Sequence, residues 1–226
     1  MIRELTPPVC RTLPWRALAV GSGLGLLLAA MPRLSDSVLA GWSPLTLLRT
    51  AAIAHALSLT FLLDDPARHT TAAVPTRRAL RTGIRLGLVV PLTALWWTAA
   101  LLLVPSEARP PALGVTLEAA ATCALALAAG TAAIRLTDEP RPGPSVAAAL
   151  LFTAIMAPLL LPERWQLFVW PEDERWDAVH ERWAWLLVGA VAALALCLPE
   201  PVRRFQPLRR LRVTSPSGTS GPSRTS

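Results

Sequence analysis

Of the 226 residues in this chain, 53% are hydrophobic and only 16% are charged, whereas about a quarter of an ordinary soluble domain is charged. The mean hydropathy is +0.44, and the apolar residues come in long uncharged runs. This composition excludes a soluble globular enzyme and predicts an integral membrane protein. The net charge of +7 comes from arginine alone, because the chain contains no lysine. A Walker-A nucleotide site, a Schiff base and a Ser–Lys dyad are therefore excluded, since each requires the lysine amine.

Six segments are apolar enough to cross a hydrocarbon core of about 30 Å. In chain order they cover residues 14–31, 44–63, 82–104, 113–134, 146–161 and 183–198. Ser43 and Ser145 are typical N-caps for the second and fifth spans, and Pro32 is expected to end the first. The sequence therefore predicts an all-α integral membrane protein with six transmembrane helices.

Arginine is distributed unevenly between the two sets of connections. With a cytoplasmic N-terminus, sixteen arginines fall on the cytoplasmic side and five on the outer side. This bias favours a topology signal over nucleic-acid binding, and an even number of spans places both termini in the cytoplasm. We expect a multi-pass plasma-membrane protein with a transmembrane domain over residues 1–212 and a disordered tail over 213–226. Residues 203–212 are expected to lie against membrane lipid headgroups.

The cytoplasmic connection after the second span contains a helix-start pattern. Asp65 can cap free backbone N–H groups, and Pro66 has a backbone angle suited to a first helical turn. A short helix that includes Arg68 is expected to end before Pro75. It is either a capped surface loop or a helix that docks onto a partner.

The outer connection between the fifth and sixth spans is rich in tryptophan, which favours the headgroup level of a bilayer. Pro171 and the acidic residues after it predict a helix start. The two flanking spans have only 16 residues each, so we expect a pair of interfacial or re-entrant helices between them. Four tryptophans of this segment form a candidate outer gate: Trp165, Trp170, Trp176 and Trp183.

The same segment places Asp173, Asp177 and His180 at helical spacing. Three such ligands on one face can bind zinc, but the neighbours are acidic and no second cluster completes the shell. A solvated polar face is therefore the favoured interpretation. We expect no metal, no cofactor and no catalytic residue.

Three ionisable residues lie within the predicted spans, where they are costly: Arg49, His55 and Glu118. Arg49 and Glu118 both lie near the outer ends of their helices, so an ion pair between them is geometrically possible. His55 is mid-span and projects about 120° away from Arg49, so these two residues do not form one site. For His55 a structural interhelical hydrogen bond is favoured over a transport role. Two pairs of small residues are expected to let helices approach closely: Gly21 with Gly25, and Gly83 with Gly87.

This layout resembles the membrane subunit of type-2 ABC exporters. The stretches at residues 63–67, 74–76, 161–165 and 176–183 are also similar to actinobacterial ABC transporter permeases. The resemblance implies a coupling helix at Asp65, Pro66 and Arg68 and re-entrant outer helices between spans five and six. It also implies ATP hydrolysis in a separate ATPase subunit, and permeases that associate as homodimers or heterodimers.

We therefore expect a non-catalytic permease that exports an amphiphilic substrate. Two other functions stay open. A secondary transporter is favoured if His55 or Glu118 titrates with substrate flux, and a membrane scaffold or immunity protein is favoured if no ATPase copurifies.

Overall fold

The computed structural model describes residues 13–34, 43–64, 78–137 and 141–197, and every regular element within them is helical. Six helices within these ranges are long and apolar enough to cross a membrane. For the described residues this confirms the all-helical prediction and the predicted number of candidate spans. The helices are α1 Trp15–Leu34, α2 Pro44–Leu59, α3 Arg78–Leu103, α4 Ala112–Leu136, α5 Gly143–Leu160 and α6 Trp176–Cys197. A 3-10 turn, Thr60–Leu63, extends α2, and two more lie in connections at Ser106–Ala108 and Glu163–Trp165.

The helix starts show which predicted caps are correct. Ser43 caps α2 as predicted, because its hydroxyl accepts a hydrogen bond from the Thr46 N–H at 3.2 Å. The prediction for Ser145 is wrong, since α5 already begins at Gly143 and the Ser145 hydroxyl donates to the Pro142 carbonyl. The carboxylate of Asp64 accepts the Gly143 N–H at 2.9 Å. A side chain 79 residues earlier thus takes the place of a local cap.

Proline does not end α1 as predicted. Pro32 lies inside its last turn, and Pro91 and Pro158 lie inside α3 and α5. Proline costs a helix one backbone hydrogen bond and a local clash. At Pro32 the missing bond is the one to the Leu28 carbonyl, and α1 ends two residues later.

The last two helices are longer than predicted, with 18 residues in α5 and 22 in α6. A helix of 22 residues is about 33 Å long, enough to cross the hydrocarbon core without help from a re-entrant segment. The first two turns of α6, which begin at Trp176, are residues that were predicted to belong to a separate interfacial helix. They continue directly into the sixth span.

The centre of the bundle is formed by α2 and α4. In their most apolar stretches 61% and 50% of the residues are buried, against 11% in α5. Helix α1 packs on α2, α6 packs on α4, and α2 and α4 pack on each other. The other helices expose leucine, valine, isoleucine and phenylalanine outward, as helices in contact with lipid do.

One predicted glycine pair brings helices together and the other does not. A Cβ on Gly21 would lie 2.5 Å from the Cβ of Ser58, and one on Gly25 would lie 2.5 Å from the Trp96 ring. No described atom of another element lies within 4 Å of a Cβ built on Gly83 or Gly87. Among the described residues this pair brings no other helix close, and the first buried position that the structure describes in α3 is 89.

The predicted coupling helix, with Asp65, Pro66 and Arg68, lies outside the described residues. So does the predicted tail at residues 213–226.

Candidate functional site

The structure brings Arg49 of α2 and Glu118 of α4 together in a buried ion pair. Arg49 Nε donates to Glu118 Oε2 at 2.6 Å, and Arg49 Nη2 donates to Oε1 at 2.7 Å. Only 4% of the Glu118 side chain and 13% of the Arg49 side chain are exposed. The predicted pairing is confirmed, and its two-bond geometry is the strong form of an arginine–carboxylate contact.

His180, on the second turn of α6, lies against this pair. Its Nδ1 is 2.8 Å from the Trp176 carbonyl. Since a carbonyl can only accept, Nδ1 carries a proton. The other ring nitrogen, Nε2, lies 3.4 Å from Glu118 Oε1 and has no hydrogen-bond partner among the described residues. The ring fits there because position 114 is glycine, where a Cβ would lie 2.6 Å from His180 Nε2.

His180 therefore faces the ion pair and does not line up with the acids of its own segment. Asp173 precedes the start of α6, and Asp177 is exposed on its first turn. Within the described ranges no group of three or more His, Cys, Asp or Glu side chains could hold a metal ion. A zinc site on one helical face would have required a helix that starts at Pro171, which the structure does not have.

The connection between α5 and α6, residues 161–175, is called the outer loop, after the side on which the arginine distribution predicts it. Three of its backbone carbonyls accept hydrogen bonds from side chains of the bundle. The Val169 carbonyl accepts from Arg49 Nη2 at 3.0 Å, and the Leu167 carbonyl accepts from Trp183 Nε1 at 2.8 Å. The Gln166 carbonyl accepts from Arg182 Nη1 at 3.2 Å. These three carbonyls are thus satisfied by side chains of the bundle in place of helical backbone bonds.

Two rings complete the attachment of this loop. The Phe168 ring lies 5.3 Å from the guanidinium carbon of Arg49 and meets the Trp183 ring edge-on at 5.7 Å. A guanidinium over an aromatic face is attractive, and more so away from water. We call Arg49, Glu118, Val169, Trp176 and His180 the outer cluster.

The predicted helix from Pro171 does not form, for a local reason. Asp173 Oδ1 accepts the Arg175 N–H at 2.9 Å, and the Arg175 guanidinium bonds the same carboxylate. This turn, closed by an Asp side chain, competes with helical backbone bonding. Hydrogen bonds from Arg175 lower the pKa of Asp173 from 3.8 to about 2. The outer loop therefore contains turns and one 3-10 turn in place of the expected helix pair.

The four candidate gate tryptophans occupy different environments. Trp165 and Trp170 are each 55% exposed, as expected for rings at a membrane interface, but Trp183 is only 4% exposed. Trp176 is half-buried and stacks on the His180 ring, with 4.1 Å between the ring centroids. Only Trp176 and Trp183 contact the bundle interior, so these two are the candidates for a moving element.

His55 forms a second, separate polar site, as predicted. Its Nδ1 lies 3.0 Å from the Ser22 hydroxyl and its Nε2 lies 3.1 Å from the Thr93 hydroxyl. The ring stacks on Trp96 at 4.0 Å with an interplanar angle of 11°, and Trp96 Nε1 donates to the Ser22 carbonyl. We call Ser22, His55, Thr93 and Trp96 the mid-membrane cluster. It joins α1, α2 and α3, and both ring nitrogens have partners.

A small cavity of about 10 Å³ lies beside the ion pair, which is about the volume needed for one water molecule. Arg49, Glu118, Trp97, Thr122 and Phe168 are among its lining residues. The cavity therefore has room for one water molecule beside the two charged groups.

Sequence reasoning missed the contributions of Val169 and His180 to this site. A backbone carbonyl has no sequence signature, and His180 was read together with the acids of its own segment. The contact between Phe168 and Arg49 was also missed, because nothing in the sequence indicates which aromatic ring of the outer loop packs toward the bundle. No family model, curated protein or solved structure matches this chain.

Proposed function

We propose that the chain is the permease subunit of an ABC-type exporter of the plasma membrane, which moves an amphiphilic substrate with energy from a separate ATPase subunit. In this proposal the outer cluster is the closed outer gate. The observation that carries it is the buried Arg49–Glu118 pair, with its third bond to the Val169 carbonyl of the outer loop.

Stability by itself does not explain a buried ion pair. Apolar residues of similar volume often stabilise a protein as well or better, because both charges lose their hydration. Ionisable residues inside a membrane segment usually face a functional pathway or a partner charge. Here the pair connects two helices to a loop through hydrogen bonds that can break and reform, as a gate requires.

The cytoplasmic side suits an ATPase partner. The arginine bias predicts that residues 65–77 face the cytoplasm. The residue just before them, Asp64, is fixed to the first turn of α5. A partner that moves this connection would act on α5 through the hydrogen bond between Asp64 and Gly143.

The exposed apolar faces of α3 and α5 suit both an amphiphilic substrate and a second permease. They present large side chains, among them Leu95 and Phe152 at 68% and 64% exposure. A homodimer or heterodimer that covers these faces would enclose a pathway between subunits.

The test combines partner identification with gate variants. We expect an ATPase to copurify with the tagged chain from native membranes and to support ATP-dependent transport after reconstitution. Trp176→Phe should change the basal ATPase rate, because the indole stacks on His180. The matched control is Trp170→Phe, which removes an indole that is 55% exposed and should leave the rate unchanged. If no ATPase copurifies and ATP drives no transport, the proposal is wrong.

The distance of 3.4 Å between His180 Nε2 and Glu118 supports a second candidate, a proton-coupled secondary transporter. A proton on Nε2 would complete a hydrogen bond to the carboxylate, and its loss would leave a lone pair facing it. Transport driven by a pH gradient without ATP, and abolished in Glu118→Gln, would favour this function. If neither energy source moves a substrate and the chain still assembles, a scaffold or immunity protein remains.

A further inference from the structure

A long apolar groove lies between α4 and α6, below the outer loop. Its volume is about 740 Å³, far larger than the cavity at the ion pair. Its walls are small and apolar, with Ala129 and Ala132 on α4 and Gly189 and Ala193 on α6. We call it the α4–α6 groove. It is separate from the outer cluster, and the outer cluster residues do not line it.

The length of the groove limits what can fill it. Along α6 it extends from Arg182 to Ala193, which is eleven steps of 1.5 Å or about 16 Å. That is about half of a 30 Å hydrocarbon core, the depth of one leaflet. A transmembrane helix from a second copy would pack along the full span, whereas one acyl chain occupies a single leaflet.

The mouth of the groove has the chemistry of a headgroup site. Arg182 lies there with its guanidinium carbon 5.7 Å from the Trp165 ring centroid, and its Nη1 donates to the Gln166 carbonyl. These contacts orient the guanidinium without neutralising its charge. In the described part of the chain no carboxylate lies within 4 Å of it. Arginine binds phosphate through parallel hydrogen bonds.

The aromatic residues place the mouth at the membrane surface. Trp165 and Trp185 both line the groove and are 55% and 68% exposed. Exposed tryptophans favour the headgroup level, which is where the phosphate of a lipid with its chain in the groove would lie. We propose that the α4–α6 groove binds one acyl chain of a phospholipid from the leaflet on the outer-loop side, and that Arg182 binds its phosphate.

Gly189 allows a clean test. It lines the groove, and a Cβ built on it meets no described atom within 4 Å. The side chain of Gly189→Phe therefore starts in open space, and its ring should obstruct the path of an acyl chain in the groove. Gly23→Phe is the matched control, because Gly23 also has open space around it, on α1.

The experiment measures lipid that stays bound to the full chain by native mass spectrometry. The protein is extracted from nanodiscs of phosphatidylglycerol. In a second sample the phosphatidylglycerol carries a photoactivatable acyl chain. We expect one retained phosphatidylglycerol and crosslinks to α6 residues 186–193. Gly189→Phe should lower retention at least tenfold, and Arg182→Gln at least threefold, while Gly23→Phe retains lipid normally.

Unchanged retention in Gly189→Phe, or crosslinks spread evenly over all six helices, would overturn the proposal. So would a shift from dimer to monomer caused by Gly189→Phe with no loss of lipid, which would identify a second copy as the occupant. The measurement uses neither ATP nor transport, so its outcome is independent of the exporter proposal.

Discussion

The outer cluster and the mid-membrane cluster each contain one residue of α2, and these two residues, Arg49 and His55, are only six positions apart. The two clusters nevertheless use different kinds of polar contact. The outer cluster uses opposite charges on Arg49 and Glu118 and joins α2 to α4, α6 and the outer loop. The mid-membrane cluster uses His55, hydroxyl groups and a stacked Trp96, and joins α2 to α1 and α3. In a membrane, charges must be compensated together, whereas hydroxyl groups can return to their own helix carbonyls. A single substitution in the outer cluster should therefore disrupt the whole cluster and cost much stability. A single substitution in the mid-membrane cluster should cost less.

The largest effect is expected from separating the buried charges. Arg49→Gln or Glu118→Gln alone should lower the free energy of unfolding by about 3–5 kcal/mol, because one buried charge loses its partner. Replacement of both residues by glutamine should recover at least half of that loss. Reversible unfolding in mixed micelles measures both values.

The matched control for that experiment is Arg33→Gln. Arg33 is exposed and donates to the Leu102 carbonyl, so its loss should cost less than about 1 kcal/mol. Equal losses of unfolding free energy in Arg33→Gln and Arg49→Gln would contradict the view that the buried pair costs more to break than an exposed hydrogen bond.

A second variant tests the packing that surrounds the mid-membrane cluster. Gly21→Ala should destabilise the bundle by about 1–3 kcal/mol, since its Cβ would overlap Ser58. Gly23→Ala, two residues away with open space around it, should be neutral or stabilising by up to about 1 kcal/mol. The same micelle assay gives the difference, and a reversed order would mean that α1 does not pack on α2 as described.

His55→Phe measures how tolerant the mid-membrane cluster is. Phenylalanine keeps an aromatic ring beside Trp96 but loses both hydrogen bonds, so we expect a loss of about 1–2 kcal/mol. Transport in the reconstituted complex should be unchanged, which a flux assay at saturating substrate checks. Abolished transport with intact stability would instead assign His55 a role in the secondary-transporter alternative.

The smallest effect concerns the turn that holds the outer loop. Because the pKa of Asp173 is lowered to about 2, its contribution to stability is fully present above about pH 4 and is lost only as the pH falls toward 2. Cleavage after Glu174 by a glutamate-specific protease should therefore show the same protection from pH 4.5 to 8, relative to a free peptide of this sequence. Asp173→Ala should lose protection at every pH, and a protection that changes near pH 6 would point to a different titrating group.

The sequence predicts well those features that depend on composition and on how far a residue lies from the end of its helix. Long apolar runs predict α1 to α6, and the depths of Arg49 and Glu118 in their helices allow their pairing to be inferred. It was a poor guide to helix ends, where Pro32 is tolerated and where Asp64 caps a helix 79 residues away. It also could not distinguish buried Trp183 from exposed Trp165, because both suit an interface and only tertiary packing decides between them.

The bond between Asp64 and Gly143 links the end of the second span to the start of α5. The contact is close, since a Cβ at position 143 would lie 2.6 Å from Asp64 Oδ2. From this contact α5 extends 18 residues, about 27 Å, to the loop whose Val169 carbonyl is bonded to Arg49. It is also the least buried of the six helices, so few side-chain contacts resist its sliding. We therefore expect a displacement applied at residue 64 to move α5 along its axis and to reach the outer loop at residue 161.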